Sequence, residues 1–109
     1  MPRPPQFYKL NTEVGFNANR ATGFSMIIRN NSGQIVGSKA IKIHEELNIP
    51  IAEALAIREG LLFAKSLNCI DLMVENDNSS VIAQVKSEEE NLSYLGMTLC
   101  RHIRFEPLF

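Results

Sequence analysis

Charge of either sign is barely in excess in this 109-residue chain: eleven lysines and arginines face twelve aspartates and glutamates, a formal net charge of −1. Such a balance exerts no global attraction on nucleic acid or on an anionic membrane. Cysteine is scarce as well. Cys69 and Cys100 show no Cys-x-x-Cys or Cys/His spacing, which excludes a disulfide framework and a zinc site and reads as two buried thiols. No apolar run approaches the roughly 18 residues of a membrane span. The proline-rich opening, Pro2, Arg3, Pro4 and Pro5, does not have the form of a secretory signal, so an intracellular protein is expected. There is no internal repeat. Hydrophobic content of 45% and charged content of 21% exclude collagen and low-complexity disorder and leave a single small domain.

What is present is organised by periodicity. Residues 1–6 hold three of the five prolines and are expected to be a flexible lead-in to a domain over 7–109. From Tyr8 to Phe16 the chain alternates, with Tyr8, Leu10, Thr12, Val14 and Phe16 on one face and Lys9, Asn11, Glu13 and Gly15 on the other. That is a half-buried strand. Phe24 to Arg29 and Ile35 to Ile43 are two more strand-like runs, joined through Asn30, Asn31, Ser32 and Gly33 as a hairpin. A helix is expected from Pro50 to about Leu67 with Asn68 closing it, then a buried strand at Ile70 to Val74. A second helix runs from Asp77 to about Lys86, with Asp77 at its N-cap. Glu88, Glu89 and Glu90 form a linker, and Leu92 to Ile103 reads as a third helix in which His102 is an ordinary residue. Pro107 argues against a long fifth strand. A hairpin meander followed by a helical crossover specifies a mixed sheet covered by helices, an α/β or α+β domain.

Three acids stand out. On a helical wheel Glu53 falls at the centre of the apolar arc, between Ala64, Ile57, Leu61 and Ala54 on one side and Gly60, Leu67, Ala56 and Phe63 on the other. Arg58, Glu59, Lys65 and Ser66 lie opposite. An ionised carboxylate facing a core costs several kcal/mol unless it is paired, hydrogen-bonded or metal-bound. The competing reading is a first-turn glutamate favoured by the helix dipole. Glu13 sits mid-strand against propensity. Asp77 follows the fourth strand at its C-terminal end, where open α/β sheets build their sites, with N-capping as the alternative. Three such acids suit hard divalent cations, which take carboxylate oxygens and activate water at phosphorus. His44-Glu45-Glu46 does not complete a zinc motif, so His44 is read as a loop residue.

The stretches KLNTEVGF at 9–16, GFSMIIRNNSGQIVG at 23–37, IAEALAIREGLLFAKSLN at 51–68 and DLMVENDNSSVI at 71–82, in this order, resemble the ribonuclease H superfamily. The likeness is to its type-1, reverse-transcriptase-associated domains of plant genomes. The resemblance implies a ribonuclease H-like mixed sheet in order 3-2-1-4-5, with strands 1–3 antiparallel, strand 4 parallel and helices packed on it. It also implies a cluster of four carboxylates binding two Mg2+ ions, or Mn2+, that cleaves the RNA strand of an RNA/DNA hybrid. The family's K-x-N-x-D-G aspartate falls on Glu13, its A-E-A glutamate on Glu53 and its E-S-D aspartate on Asp77; these are the implied catalytic and metal-binding residues. Glu13 replaces Asp and Val14 replaces Gly. No residue matches the family's histidine-bearing loop or fourth carboxylate, so a truncated domain is expected, its last strand and helix missing or incomplete.

The resulting expectation is an RNA/DNA hybrid ribonuclease of weakened activity, with nucleic acid as partner, no membrane, and self-association through surface left uncovered. The alternative is a catalytically inactive nucleic-acid-binding or interaction module derived from a retroelement ribonuclease H; a remnant without a role is a third. For the module the charge distribution matters. Residues 1–43 carry six basic side chains and one acid, whereas 44–109 carry five basic and eleven acidic, a basic face if the fold gathers the former on one side.

Overall fold

The alternation that begins at Tyr8 becomes β1 (Tyr8–Phe16), the first of five strands in a computed structural model that describes residues 6–17, 20–69, 71–76, 81–87 and 102–106. β2 (Thr22–Asn30) and β3 (Ile35–Ile43) follow it as an antiparallel meander. Their hairpin closes where expected. The Asn30 side-chain oxygen accepts from the Ser32 and Gln34 amides at 2.9 and 3.0 Å, and Gly33 takes φ +81°, a left-handed angle that costs glycine little.

α1 (Ile49–Ser66) starts at Asn48, whose side-chain oxygen accepts from the Ile51 amide at 3.0 Å, with Pro50 inside the first turn where no partner for its nitrogen is lost. It ends as the sequence reading requires. Asn68 adopts φ +59°, the Asn68 amide donates to the Lys65 carbonyl, and the Cys69 amide donates to the Ala64 carbonyl, both at 3.0 Å. This is the Schellman arrangement, which satisfies carbonyls that the helix end leaves open. β4 (Asp71–Glu75) then returns parallel to β1, and residues 81–87 are helical.

The sheet order is β3-β2-β1-β4-β5, the order the resemblance implies. β5 (His102–Glu106) pairs in parallel with β4, from Asp71↔His102 to Glu75↔Glu106. This corrects the expected third helix at its C-terminal end: His102 and Ile103 are strand residues. The reason is legible in the alternation His102, Ile103, Arg104, Phe105, Glu106, a period of two rather than 3.6. Pro107 follows directly, and the strand stays short. The rest of that expected helix, 92–101, lies outside the described residues, as do the lead-in at 1–5 and the N-cap at Asp77.

One face of the sheet carries the core. Leu10, Phe24, Met26, Ile28, Leu72 and Val74 are buried against Ala56, Ile57, Leu61 and Ala64 of α1, with Val81 and Val85 added from the helical stretch 81–87. At the closest approach a Cβ on Gly60 would lie 2.8 Å from the Leu10 Cδ2, so glycine is what lets the helix sit on β1. Cys69 belongs to this core; burial pushes its thiol pKa up, leaving it protonated and unreactive. Among the described residues no helix is long and apolar enough to cross a membrane.

Candidate functional site

The opposite face of the sheet is where the strand alternation sends Lys9, Asn11 and Glu13 of β1, Ser25, Ile27 and Arg29 of β2, and Lys42 of β3. None of these side chains belongs to the core. Glu13 is exposed and pairs in register with Ser25.

A difference in strand length creates the site. β1 pairs with β2 along all nine residues, but with β4 only from Tyr8↔Leu72 to Leu10↔Val74. Beyond Leu10 the β4-side edge of β1 has no strand partner among the described residues, and Glu13 lies on that stretch. The notch stands at the C-terminal ends of two adjacent parallel strands whose connections leave in opposite directions, the switch point where open α/β sheets place ligands. Glu75 closes β4 at its lip. Glu13, Glu75, Asn11, Ser25, Ile27 and Arg29 line one concavity of about 490 Å³ there.

The position of Glu53 follows from how α1 is anchored. Thr22, fully buried, donates from its hydroxyl to the Glu45 carbonyl at 2.7 Å and accepts from the Leu47 amide at 3.1 Å. That pair of bonds ties the chain entering α1 to the end of the sheet where β1 finishes, since Thr22 is the register partner of Phe16. Further along, Gly60 abuts Leu10 of β1, whereas Phe63 and Leu67 lie over Gly37 of β3. The helix thus moves away from the β4 side as it proceeds. Glu53 lies seven residues before Gly60 on that helix, about 10 Å at the helical rise. Glu53 is half-buried, and its helical neighbours Ala52, Ala54, Ala56 and Ile57 are buried, so the wheel places it correctly on the sheet-facing stripe. No acid occupies the first turn of α1, which removes the first-turn reading of Glu53; the dipole's influence falls off beyond that turn.

Of the three residues singled out from sequence, Glu13 stands on the open face of the sheet, whereas Glu53 belongs to α1, which packs on the core face. Asp77 lies outside the described residues. Among the described residues no three histidine, cysteine, aspartate or glutamate side chains gather closely enough to hold a metal ion. His44 is exposed in the loop after β3, as expected of a loop histidine. The basic residues of the first half are divided. Lys9, Arg29 and Lys42 share the open face, whereas Lys39 lies over the Phe63 ring at 5.9 Å on the helix side and Arg20 occupies the β1–β2 turn with φ 56°. Sequence reasoning counts Arg29 only among the basic residues of the first half, and it does not find Ser25 or Glu75. Strand alternation would have found Arg29's face, but not the register that sets it across from Lys9.

Against known proteins, residues 11–105 match the family model described as reverse transcriptase-like. Solved structures agree on the fold. Ribonuclease H1 of the archaeon Halobacterium salinarum aligns with a TM-score of 0.73 at 14% identity, over 93% of this chain and 84% of that one. The N-terminal RNase H domain of a Mycobacterium tuberculosis protein aligns at 0.68 and 14% identity, over 93% and 81%. The compost-derived LC11-RNase H1, solved in complex with an RNA/DNA hybrid, aligns at 0.67 and 16% identity, over 93% and 84%. No curated protein matches the chain.

Proposed function

The chain belongs to the reverse-transcriptase-like family and has the type-1 ribonuclease H fold, and from that premise we propose that it binds an RNA/DNA hybrid and hydrolyses the RNA strand, slowly, at the notch beside β1. The observation that carries this reading is Glu13 itself, an acid in mid-strand on the stretch of β1 that β4 does not cover; Glu53 of α1 is taken as its second acid. One solved relative in fold, LC11-RNase H1, was captured with such a hybrid.

The donors fit a hard cation. Carboxylate oxygens, with no thiolate or imidazole among them, suit Mg2+ or Mn2+ rather than zinc. Glu13, Glu53 and Asp77 would hold it. A divalent ion there supplies charge stabilisation at the phosphoryl oxygens and a more acidic water. The chain's own contribution is placement. Glu13 presents an exposed carboxylate from a strand held rigid by its full pairing to β2, and Glu53 is fixed by the cap at Asn48 and the Thr22 anchor. Asn11 and Ser25 flank Glu13 with neutral donors for a phosphate backbone. Glutamate at 13 extends the carboxylate by one methylene, and divalent-metal geometry tolerates such displacement poorly. That is the source of the slow rate.

A second reading, a binding module without chemistry, is favoured by the open basic face of Lys9, Arg29 and Lys42, which needs no carboxylate. Incubating a labelled hybrid with the protein in Mg2+ and then Mn2+ separates the two. The expected result is slow metal-dependent cutting, raised about tenfold or more in Glu13→Asp, since a displacement near 1 Å costs up to about a hundredfold. Binding without cutting in both metals, and no gain in Glu13→Asp, establishes the module. Neither binding nor cutting overturns both readings.

A further inference from the structure

The open face contains an arrangement that folding alone disfavours. Lys9 of β1 and Arg29 of β2 are direct register partners, and like charges placed opposite each other across two strands are destabilising. Only one of them is answered by a carboxylate among the described residues. Lys9 Nζ lies 3.7 Å from Glu75 Oε1, whereas Arg29 has no ion pair there. Beside Arg29 the β2–β3 register shifts, Ile28 pairing with Gly37 and Arg29 with Ile35, so that Val36 of β3 is the extra residue. Half-buried, Arg29 lines the concavity of about 490 Å³ together with Asn11 and Ser25.

These groups form a donor set: a planar guanidinium that bonds two oxygens of one anion at once, a carboxamide and a hydroxyl. Of the two acids of the concavity, Glu75 is engaged with Lys9, and Glu13 is the register partner of Ser25, four residues along β1 from the Lys9–Arg29 pair, about 13 Å at the rise of a strand.

We infer that Arg29, with Asn11 and Ser25, is a phosphate-binding subsite that takes a backbone phosphate of a nucleic-acid strand to one side of the group held at Glu13. The inference rests on the nucleic-acid reading above for the identity of the strand, while the oxyanion chemistry belongs to the residues alone. Binding at this subsite is independent of base sequence and of divalent ions.

The test is hybrid binding by fluorescence anisotropy in EDTA across a salt series, for the full chain and for Arg29→Gln, Arg29→Lys and Arg58→Gln. Arg58, exposed on α1, is the control for a lost charge away from the sheet face. Arg29→Gln is expected to weaken binding about tenfold or more and to lower the salt slope by about one. Arg29→Lys keeps the slope but loses affinity with the planar fork, and Arg58→Gln changes affinity less than about twofold. Thermal unfolding of Arg29→Gln should occur at the same or a higher temperature, because a like-charge pair is relieved; a clear drop would make Arg29 a structural residue and end the inference. Equal losses in Arg29→Gln and Arg58→Gln overturn it too. Should the full chain bind no hybrid, the nucleic-acid reading fails, and inorganic phosphate decides the subsite. Saturable NMR shifts at the Asn11, Ser25 and Arg29 amides that vanish in Arg29→Gln uphold it with free phosphate as the source, and no shifts refute it.

Discussion

Glu53→Gln is expected to reduce metal-dependent cleavage of an RNA/DNA hybrid by about a hundredfold or more, the scale on which active sites lose rate when a preorganised electrostatic partner is removed. The substitution keeps the size and planar shape of the side chain and deletes only its charge. It is made on a helix whose buried stripe of Ala52, Ala54, Ala56, Ile57, Gly60, Leu61 and Ala64 stays intact. Because size and shape are kept, the amide should leave thermal stability nearly unchanged while activity collapses. Single-turnover cleavage in Mn2+ alongside a thermal melt measures both. A fall in stability with cleavage within about threefold of the parent chain would mark Glu53 as a packing residue instead.

The largest effect on stability is expected at the contact between β1 and α1. Leu10 is fully buried, and its methyl carbons sit 2.8 and 2.9 Å from where a Cβ on Gly60 would stand. Leu10→Ala should cost about 3 kcal/mol, the transfer of an isobutyl group plus the cavity it leaves. Gly60→Ala gains about 1 kcal/mol of helix propensity, yet forces Leu10 to move within a packed core, a cost of about 1–3 kcal/mol; a net loss of about 1 kcal/mol follows. In the double variant the new methyl enters the space that Leu10 vacates and the propensity gain survives. The two losses should then fall short of adding by about 1–2 kcal/mol. Urea unfolding of the four proteins gives the coupling directly, and strict additivity would show that the two residues do not meet. The contact matters for function because it sets the height of α1, and with it Glu53, above β1.

Much of this arrangement is legible in the sequence because period and punctuation agree locally. The alternation at Tyr8 to Phe16, the Asn-Asn-Ser-Gly turn and the Pro50 and Asn68 signals each name their element, and the wheel alone puts Glu53 on the sheet-facing stripe of α1. Boundaries drift by a residue or two where propensity is weak, as at β4, which runs on to Glu75 rather than ending at Val74. β5 was missed because Leu92 to Ile103 looks helical in bulk, and the switch to period two occupies only five residues. Register is the quantity that composition and periodicity do not contain. That Lys9 faces Arg29, that β4 releases β1 after Leu10, and that the basic first half is divided between two faces all depend on which strand ends where. A local pattern has no access to those pairings.

The central claim is that Glu13, Glu53 and Asp77, far apart in the chain, serve a single divalent ion. Mn2+ tests it without any assumption about catalysis, because its unpaired electrons broaden the NMR signals of nearby amides. Titrated into the isotope-labelled protein at low occupancy, Mn2+ is predicted to erase the amides around positions 13, 53 and 77 together and at one affinity, and to spare those around the exposed acids Glu45 and Glu46. Broadening that begins at separate acids with separate affinities, or that leaves Glu53 untouched while Glu13 responds, would contradict the account.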